Sequence, residues 1–172
     1  MSVHLPAGEQ VQELFADLLD RDVHQEPGTP VVPGPAVPAT VATYVDDQEC
    51  VRAVISCDLD LSARAGAAIG LVPPSGADRA IRSGCVDGDL AENLAEVLEV
   101  AGALFERDHG THVRLQGLHP AGADLPDDVL AQALTLGRRA DVRLEIAGYG
   151  DGRLSVVLVE RAGSGDHRSQ HA

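Results

Sequence analysis

The longest amphipathic segment of the chain lies between Asp89 and Arg107. Its apolar residues recur every three or four positions, which is the spacing of a helix that buries one side. This apolar stripe consists of Leu90, Leu94, Val97, Leu98, Ala101, Leu104 and Phe105. Asp89 suits the N-cap position, and Glu92 three residues later completes a capping box. The pattern therefore predicts a long helix with one buried side and one polar side.

The residues before this helix alternate between helical and strand-like patterns. They predict a helix over 9–22, strands Val41–Val45 and Val51–Ser56, a helix Ala63–Ile69 with Ser62 as its N-cap, and a short helix around Ala77–Ile81. Pro73-Pro74 and Gly84 are expected to end the second and third helices. Residues 26–39 are rich in proline, which fixes φ and removes amide donors, so they are predicted to form an extended linker.

The residues after the long helix predict mainly strands. They indicate a strand His112–Leu118, a short helix from Pro126 to about Leu136, and a hairpin of Val142–Ala147 and Arg153–Glu160 around Gly150-Asp151-Gly152. No helix follows the glycine run at 148–152, so this run is predicted to be a turn and not a phosphate-binding loop.

These elements together predict an α/β (α+β) fold. A single domain over residues 9–160 is expected, with a mostly antiparallel or mixed sheet packed against helices. Residues 1–8 form a short N-terminal segment in this scheme. Residues 161–172 are polar and contain glycine, so they are expected to form a disordered tail.

Composition limits the classes of partner. The 172 residues carry 27 acidic and 13 basic side chains, for a net charge of −14, and every basic side chain is arginine. A chain of this charge is repelled by nucleic acid and by anionic membranes, so neither is expected as a partner. No apolar run reaches the length of a membrane span, and the N-terminus lacks a signal pattern, so the expected location is the cytoplasm.

The residue types that bind metals are present, but their spacing does not suit a metal site. Cys50, Cys57 and Cys85 lack the close pairing typical of zinc ligands or of a disulfide framework, and they are expected to be reduced, partly buried thiols. His109, His112 and His119 have no matching acidic or cysteine ligand and are expected to face solvent. Neither a metal nor another cofactor is predicted.

The order of elements and the residues of the long helix resemble the CheC/CheX/FliY chemotaxis-phosphatase family, and CheX in particular. The resemblance covers roughly residues 9–160 and includes the segment "ARAGAAIG" before the long helix and "CVDGDL" at its start. The family motif on this helix is an Asp or Ser, three residues, Glu, two residues and Asn, with a Pro about twenty residues later. Glu96 matches the Glu of the motif, and Glu92 lies at the Asp/Ser position. Glu99 replaces the Asn, and Pro120 lies near the expected Pro but at a different spacing.

The resemblance implies a function in which this motif acts on the aspartyl phosphate of a response regulator. In the family, the Glu is thought to contact a lysine of the regulator, and the Asn is thought to orient the attacking water. An amide both donates and accepts hydrogen bonds, whereas the carboxylate of Glu99 only accepts them and adds a negative charge near a phosphoryl group. Two unit charges 4 Å apart interact by about 4 kcal/mol at an effective dielectric constant of 20. Phosphatase activity is therefore expected to be reduced or absent, although a glutamate remains able to act as a general base.

Asn93 offers an amide on the same helix, three residues before Glu96. Residues three apart are neighbours on a helix, so the Glu–Asn pair exists in the opposite order along the axis. We expect that Asn93 does not take the family role, because the helix docks with only one polarity. Glu96, Glu99 and Asn93 are thus the candidate catalytic residues, and Glu92, Glu96 and Glu99, which share one helix face, are the candidate partner-binding residues.

Two functions follow from the sequence. The first is a regulatory protein that engages the receiver domain of a response regulator. The second is a non-catalytic interaction or dimerisation module with no phospho-regulator role. An exposed sheet edge would allow two copies to form a homodimer, and the sequence leaves the oligomeric state open. An unrelated α/β enzyme would need a pocket that the sequence does not reveal.

Overall fold

The strands form one open antiparallel sheet in the order β1-β5-β6-β3-β2-β4. The structure is a computed structural model that describes residues 3–106 and 110–160. The strands are β1 (Val23–Pro27), β2 (Ala39–Val45), β3 (Val51–Asp58), β4 (Arg114–His119), β5 (Arg139–Ile146) and β6 (Gly150–Leu158). The helices are α1 (Gly8–Leu19), α2 (Leu59–Ile69), α3 (Pro74–Ser83), α4 (Gly88–Val100) and α5 (Asp127–Ala133), and a 3₁₀ helix (Ala101–Phe105) follows α4. The predicted α+β fold is therefore confirmed.

The main core lies between the sheet and the helices α1, α2 and α4. Successive strand residues point to opposite faces, so Ala42 and Tyr44 of β2 face these helices. The preceding residue, Val41, faces α5 on the other side, where it packs with Val54. The predicted apolar stripe of α4 is the side that enters the main core, since Leu94, Val97, Leu98, Ala101 and Phe105 are all buried.

The beginning of α2 differs from the prediction. The helix begins at Leu59, and its N-cap is Asp58, whose carboxylate accepts a hydrogen bond from the Leu61 amide at 2.8 Å. Ser62 was predicted as the cap, but it lies inside the helix, where its hydroxyl donates to the Asp58 carbonyl at 2.7 Å and accepts from Thr40 at 2.8 Å. Ser62 is therefore bonded to the buried Thr40 of β2 and does not cap the helix.

The two prolines after α2 also have a different role from the predicted one. Pro74 is the first residue of α3, a position that tolerates proline because its amide has no partner within the helix. Helix α3 ends where predicted, with Gly84 in the left-handed conformation at φ 76°.

The proline-rich segment begins later than predicted and is fixed to the sheet. Its predicted first residues, Glu26 and Pro27, form the end of edge strand β1, which pairs with β5. The amide of Val31 then donates to the hydroxyl of Ser155 at 2.8 Å, on the sheet face opposite α4. Val31 is buried there, so the extended segment covers part of that face.

The last two strands have other bounds than predicted: β5 runs from Arg139 to Ile146, and β6 runs from Gly150 to Leu158. Strands β5 and β6 pair from Arg139↔Val157 to Ile146↔Gly150, so Gly150 and Gly152 belong to β6 and the turn lies at 147–149. A Cβ on Gly152 would lie 2.4 Å from the Leu61 amide nitrogen, so the close approach of α2 requires glycine here. The predicted tail, residues 161–172, lies outside the described residues.

Candidate functional site

The exposed side of helix α4 carries the three candidate carboxylates. Glu92, Glu96 and Glu99 are all exposed, whereas Leu94, Val97 and Leu98 between them are buried. Among residues 3–106 and 110–160, none of the three glutamate side chains has a hydrogen-bond or ion-pair partner. The structure therefore brings the three predicted partner-binding residues to one open, negatively charged surface, which we call the α4 carboxylate face.

Glu92 is available for this surface because the predicted capping box does not form. Helix α4 begins at Gly88, one residue earlier than predicted, and Asp87 occupies the N-cap position without a side-chain hydrogen bond. Asp89 lies in the first turn, where a negative charge is favourable near the helix N-terminus. The capping box predicted from Asp89 and Glu92 is therefore wrong.

Asn93 points away from the carboxylate face and towards α2. Its side-chain amide nitrogen donates to the Gly66 carbonyl oxygen at 3.0 Å, and the side chain is half-buried. A Cβ on Gly70 would lie only 2.1 Å from this nitrogen, so the asparagine fills the space next to that glycine. Asn93 thus connects α4 to α2, whereas the side chain of Glu96, three residues later, is exposed.

The far end of α4 is fixed by a buried tyrosine. The hydroxyl of Tyr44 donates to the Leu98 carbonyl at 2.6 Å, and the Tyr44 ring packs against Phe105 with ring centroids 5.2 Å apart. Burial is the main cause that raises the pKa of Tyr44 well above its usual range, and nearby Cys57 adds to it. The α-helix ends at Val100 and continues as the 3₁₀ helix, whereas the sequence predicted one helix as far as Arg107, which lies outside the described residues.

A cavity lies at each end of helix α4. The cavity at the N-terminal end has a volume of about 430 Å³ and lies between α3 and the first turn of α4, with Arg79, Ser83, Cys85 and Asp89 in its wall. The cavity at the C-terminal end has a volume of about 730 Å³ and lies between α4, the 3₁₀ helix and strand β4. Glu99 lines the second cavity, so this cavity joins the carboxylate face to the edge of the sheet.

The residues considered for metal binding lie apart. His112 is exposed and pairs with Glu106, His119 is half-buried at the end of β4, and His109 lies outside the described residues. Within 3–106 and 110–160, no three His, Cys, Asp or Glu side chains are grouped so that they could hold a metal ion. The three cysteines are free thiols, and burial raises the pKa of Cys57.

Pro120 follows strand β4, and its carbonyl accepts a hydrogen bond from the Ala123 amide at 2.9 Å. It begins the turn after the edge strand.

No helix in the described part of the chain has the length and apolar character needed to cross a membrane.

Comparison with known proteins relates the chain to solved structures only. No protein-family model matches the sequence, and no curated protein sequence matches it significantly. A chain of the FliM–SpeE complex from H. pylori superimposes with a TM-score of 0.56 at 8% identity, covering 88% of this chain and 80% of that chain. A chain of the CheX–CheY–BeF3–Mg2+ complex from Borrelia burgdorferi gives a TM-score of 0.51 at 10% identity, covering 86% and 92%. The FliM middle domain from H. pylori gives 0.50 at 8% identity, covering 88% and 84%.

These similarities concern the fold. At 8–10% identity they show that the chain has the architecture shared by CheX and the FliM middle domain, which confirms the fold predicted from the sequence resemblance. The chain covers four-fifths or more of each of these structures, so the shared architecture extends over nearly the whole domain.

Proposed function

We propose that this chain engages receiver domains of response regulators through the α4 carboxylate face, with reduced or absent aspartyl-phosphate phosphatase activity. The observation that carries the proposal is the open position of Glu96, which lies in the middle of this face with an unpaired side chain among the described residues. A carboxylate in this position is suited to pair with a lysine of a partner, the contact that the family resemblance implies. One of the proteins with this fold was solved together with CheY, BeF3 and Mg2+.

The surroundings of Glu99 support the second half of the proposal. Glu99 is exposed at the position where the family motif has asparagine, and no side-chain amide from α4 replaces it, because Asn93 is bound to Gly66. A phosphoryl group placed against this face would meet carboxylates at 92, 96 and 99. Their repulsion raises the barrier to attack by water unless a partner supplies compensating cations.

Restoring the motif tests whether this surface is a decayed phosphatase site. The experiment compares wild type with Glu99→Asn and with the double variant Glu96→Ala/Glu99→Asn. The readout is the rate at which each accelerates the loss of phosphate from receiver domains encoded in the same genome. A gain in Glu99→Asn that disappears in the double variant supports a phosphatase-derived face. Equal rates in all three proteins contradict an origin of this face in phosphatase chemistry.

The second candidate is a non-catalytic interaction module, which includes a homodimer. The outer edge of strand β4, which no other strand of the described residues covers, favours it, because an unpaired strand edge offers hydrogen-bonding groups to another chain. Sedimentation over a range of concentrations, together with receiver-binding measurements, separates the two candidates. A dimer that binds no receiver domain in any phosphorylation state supports the second candidate and contradicts the first.

A further inference from the structure

Strand β4 has one edge that no other described strand covers. It pairs with β2 on one side and ends the sheet on the other. The 730 Å³ cavity runs along this free edge, and five consecutive residues, Arg114–Leu118, form one wall. The opposite wall consists of Glu99 and Val100 at the end of α4 and of Gly102, Ala103 and Glu106 nearby. The cavity is therefore a groove between a strand edge and a helix end.

The strand presents apolar side chains towards the helix side of this groove. The pairing register between β2 and β4 shifts by one residue, so that Thr43 is paired with Gly117 and Tyr44 is paired with Leu115. This bulge leaves Gln116 unpaired in the register and places both Leu115 and Leu118 on the helix side, where they pack against the main core while half-buried. Val100 adds a side chain that is 45% exposed. An extended segment in the groove would cover all three.

The charged side chains in the groove indicate the charge that an occupant should carry. Arg114 pairs with Glu49, and Glu106 pairs with His112, which carries a positive charge only when protonated. The side chain of Glu99 has no partner among the described residues. The groove therefore carries a net negative charge, in a chain whose net charge is already −14.

We propose that this groove binds an extended peptide segment of another protein by strand addition to β4. The segment would alternate apolar and polar residues, so that one side packs on Leu115, Leu118 and Val100, and it would carry a basic residue opposite Glu99. Main-chain hydrogen bonds to a strand edge supply affinity in this binding mode, and pockets for alternate side chains supply specificity. This inference does not depend on receiver docking, although Glu99 contributes to both surfaces.

A second copy of this chain fits the groove less well. A two-fold axis at the β4 edge would bring both Glu99 side chains to the same interface, between two chains of charge −14 each. Residues 161–172 of the chain itself contain no β-branched or aromatic residue, so they are poorly suited to form the added strand. A basic segment of a different protein satisfies both the apolar contacts and the charge.

The test uses a displayed library of random ten-residue peptides selected on the full chain. Enriched sequences are synthesised, and their Kd is measured with wild type, with Glu99→Gln and with Glu13→Gln, a control at an exposed glutamate on α1. The proposal expects enriched peptides with alternating apolar residues and at least one Arg or Lys. Their binding should weaken by about fivefold in Glu99→Gln, the upper range for an exposed ion pair, and stay unchanged in Glu13→Gln.

Backbone methylation of the same peptides identifies the binding mode. An added strand bonds to β4 through only one of its edges, so N-methylation of alternate amides should abolish binding on one edge and leave it intact on the other. The proposal is overturned if no peptide is enriched, or if both methylation patterns have the same effect. It is also overturned if sedimentation reveals a dimer from which the peptides are excluded, since the edge then belongs to a second copy.

Discussion

The side-chain amide of Asn93 donates a hydrogen bond to the main-chain carbonyl of Gly66, with 3.0 Å between nitrogen and oxygen. This bond joins the two helices that lie side by side on the sheet, α2 and α4. Glu92 and Glu96 lie about 100° and 60° around the helix from Asn93, on the part of α4 that is exposed to solvent. Asn93, which the sequence offered as a candidate catalytic residue together with Glu96, thus makes a structural contact in the fold.

We expect Asn93→Ala to lower the stability of the protein without affecting the chemistry of the carboxylate face. The loss should be about 1 kcal/mol in the free energy of unfolding, because the buried Gly66 carbonyl loses its side-chain donor. Urea unfolding measures this loss, and turnover of a phosphorylated receiver domain is followed in parallel. Dephosphorylation that is lost in Asn93→Ala but kept in Glu99→Ala would show that Asn93 is catalytic.

Gly66 permits the close contact between the same two helices. Replacing a glycine inside a helix with alanine normally raises the free energy of unfolding by about 1 kcal/mol. Here the added Cβ would lie 2.5 Å from the Leu90 carbonyl oxygen, which is a backbone atom, so we expect Gly66→Ala to destabilise the protein by about 1 to 3 kcal/mol. Gly34→Ala is the matched control, because nothing lies within 4 Å of its added Cβ. Equal stability of the two variants would contradict this packing.

The hydroxyl of Tyr44 is bonded to the last turn of α4, at the Leu98 carbonyl. We expect Tyr44→Phe to lose about 1 to 2 kcal/mol in the free energy of unfolding, because the Leu98 carbonyl remains buried without its donor. The control is Tyr149→Phe, which removes a hydroxyl bonded to the Val72 carbonyl at a less buried site and should cost less. A cost in Tyr44→Phe no greater than that in the control would contradict this role.

Tyr44 also provides a spectroscopic prediction. In Tyr149→Phe it is the one remaining tyrosine of the chain. Its pKa is raised mainly by burial, so the phenolate absorbance should not appear at the pH at which a free tyrosine ionises. We expect it to appear only as the protein unfolds in alkali. An ionisation that precedes the loss of secondary structure, followed by circular dichroism, would contradict the burial of this ring.

The hydrogen bonds of Asp46 lead us to expect that the protein loses stability in acid. Its carboxylate accepts hydrogen bonds from the Cys50 and Gln48 amides and from Arg52, and the bond from Cys50 is the main cause that lowers its pKa. Because the pKa is lower in the folded state, the stabilisation is present above the unfolded pKa of about 3.9. It is lost as the pH falls through the folded value.

The corresponding variant is Asp46→Asn, which keeps one acceptor oxygen. We expect its stability to change less than that of wild type below about pH 4. Asp47→Asn, at the exposed neighbouring residue, should retain the wild-type acid profile. Chemical unfolding at a series of pH values measures all three proteins. Parallel curves for wild type and Asp46→Asn would show that this carboxylate does not contribute to the acid sensitivity.

The elements with regular patterns could be predicted from the sequence, whereas long-range contacts could not. The stripe from Leu90 to Phe105 gave both the helix and its buried side, because burial alone sets that spacing. Edge strand β1 was missed because His24, Gln25 and Glu26 are polar, and because it pairs with β5, which is far away in sequence. The prediction of Ser62 as a helix cap was wrong for a related reason, since its partner Thr40 lies on strand β2, 22 residues earlier in the chain.

The candidate site likewise has some features that follow from a regular sequence pattern and others that depend on long-range contacts. The exposure of Glu92, Glu96 and Glu99 follows from helical periodicity and was predictable. The role of Asn93 was not, because the carbonyl that it binds is 27 residues earlier in the chain. The groove beside β4 also had no sequence signal, since it exists only where the end of α4 meets a strand that comes after it in the chain.

The central claim is that the α4 carboxylate face binds receiver domains, and a binding measurement with charge-reversed variants tests it most directly. The receiver domains encoded in the same genome are activated with beryllium fluoride and Mg2+, and their Kd is measured with wild type, Glu96→Arg and Glu13→Arg. We predict that at least one activated receiver binds, and that Glu96→Arg weakens it by about tenfold or more while Glu13→Arg does not. The absence of binding by every receiver, or equal effects of the two reversals, would contradict the account.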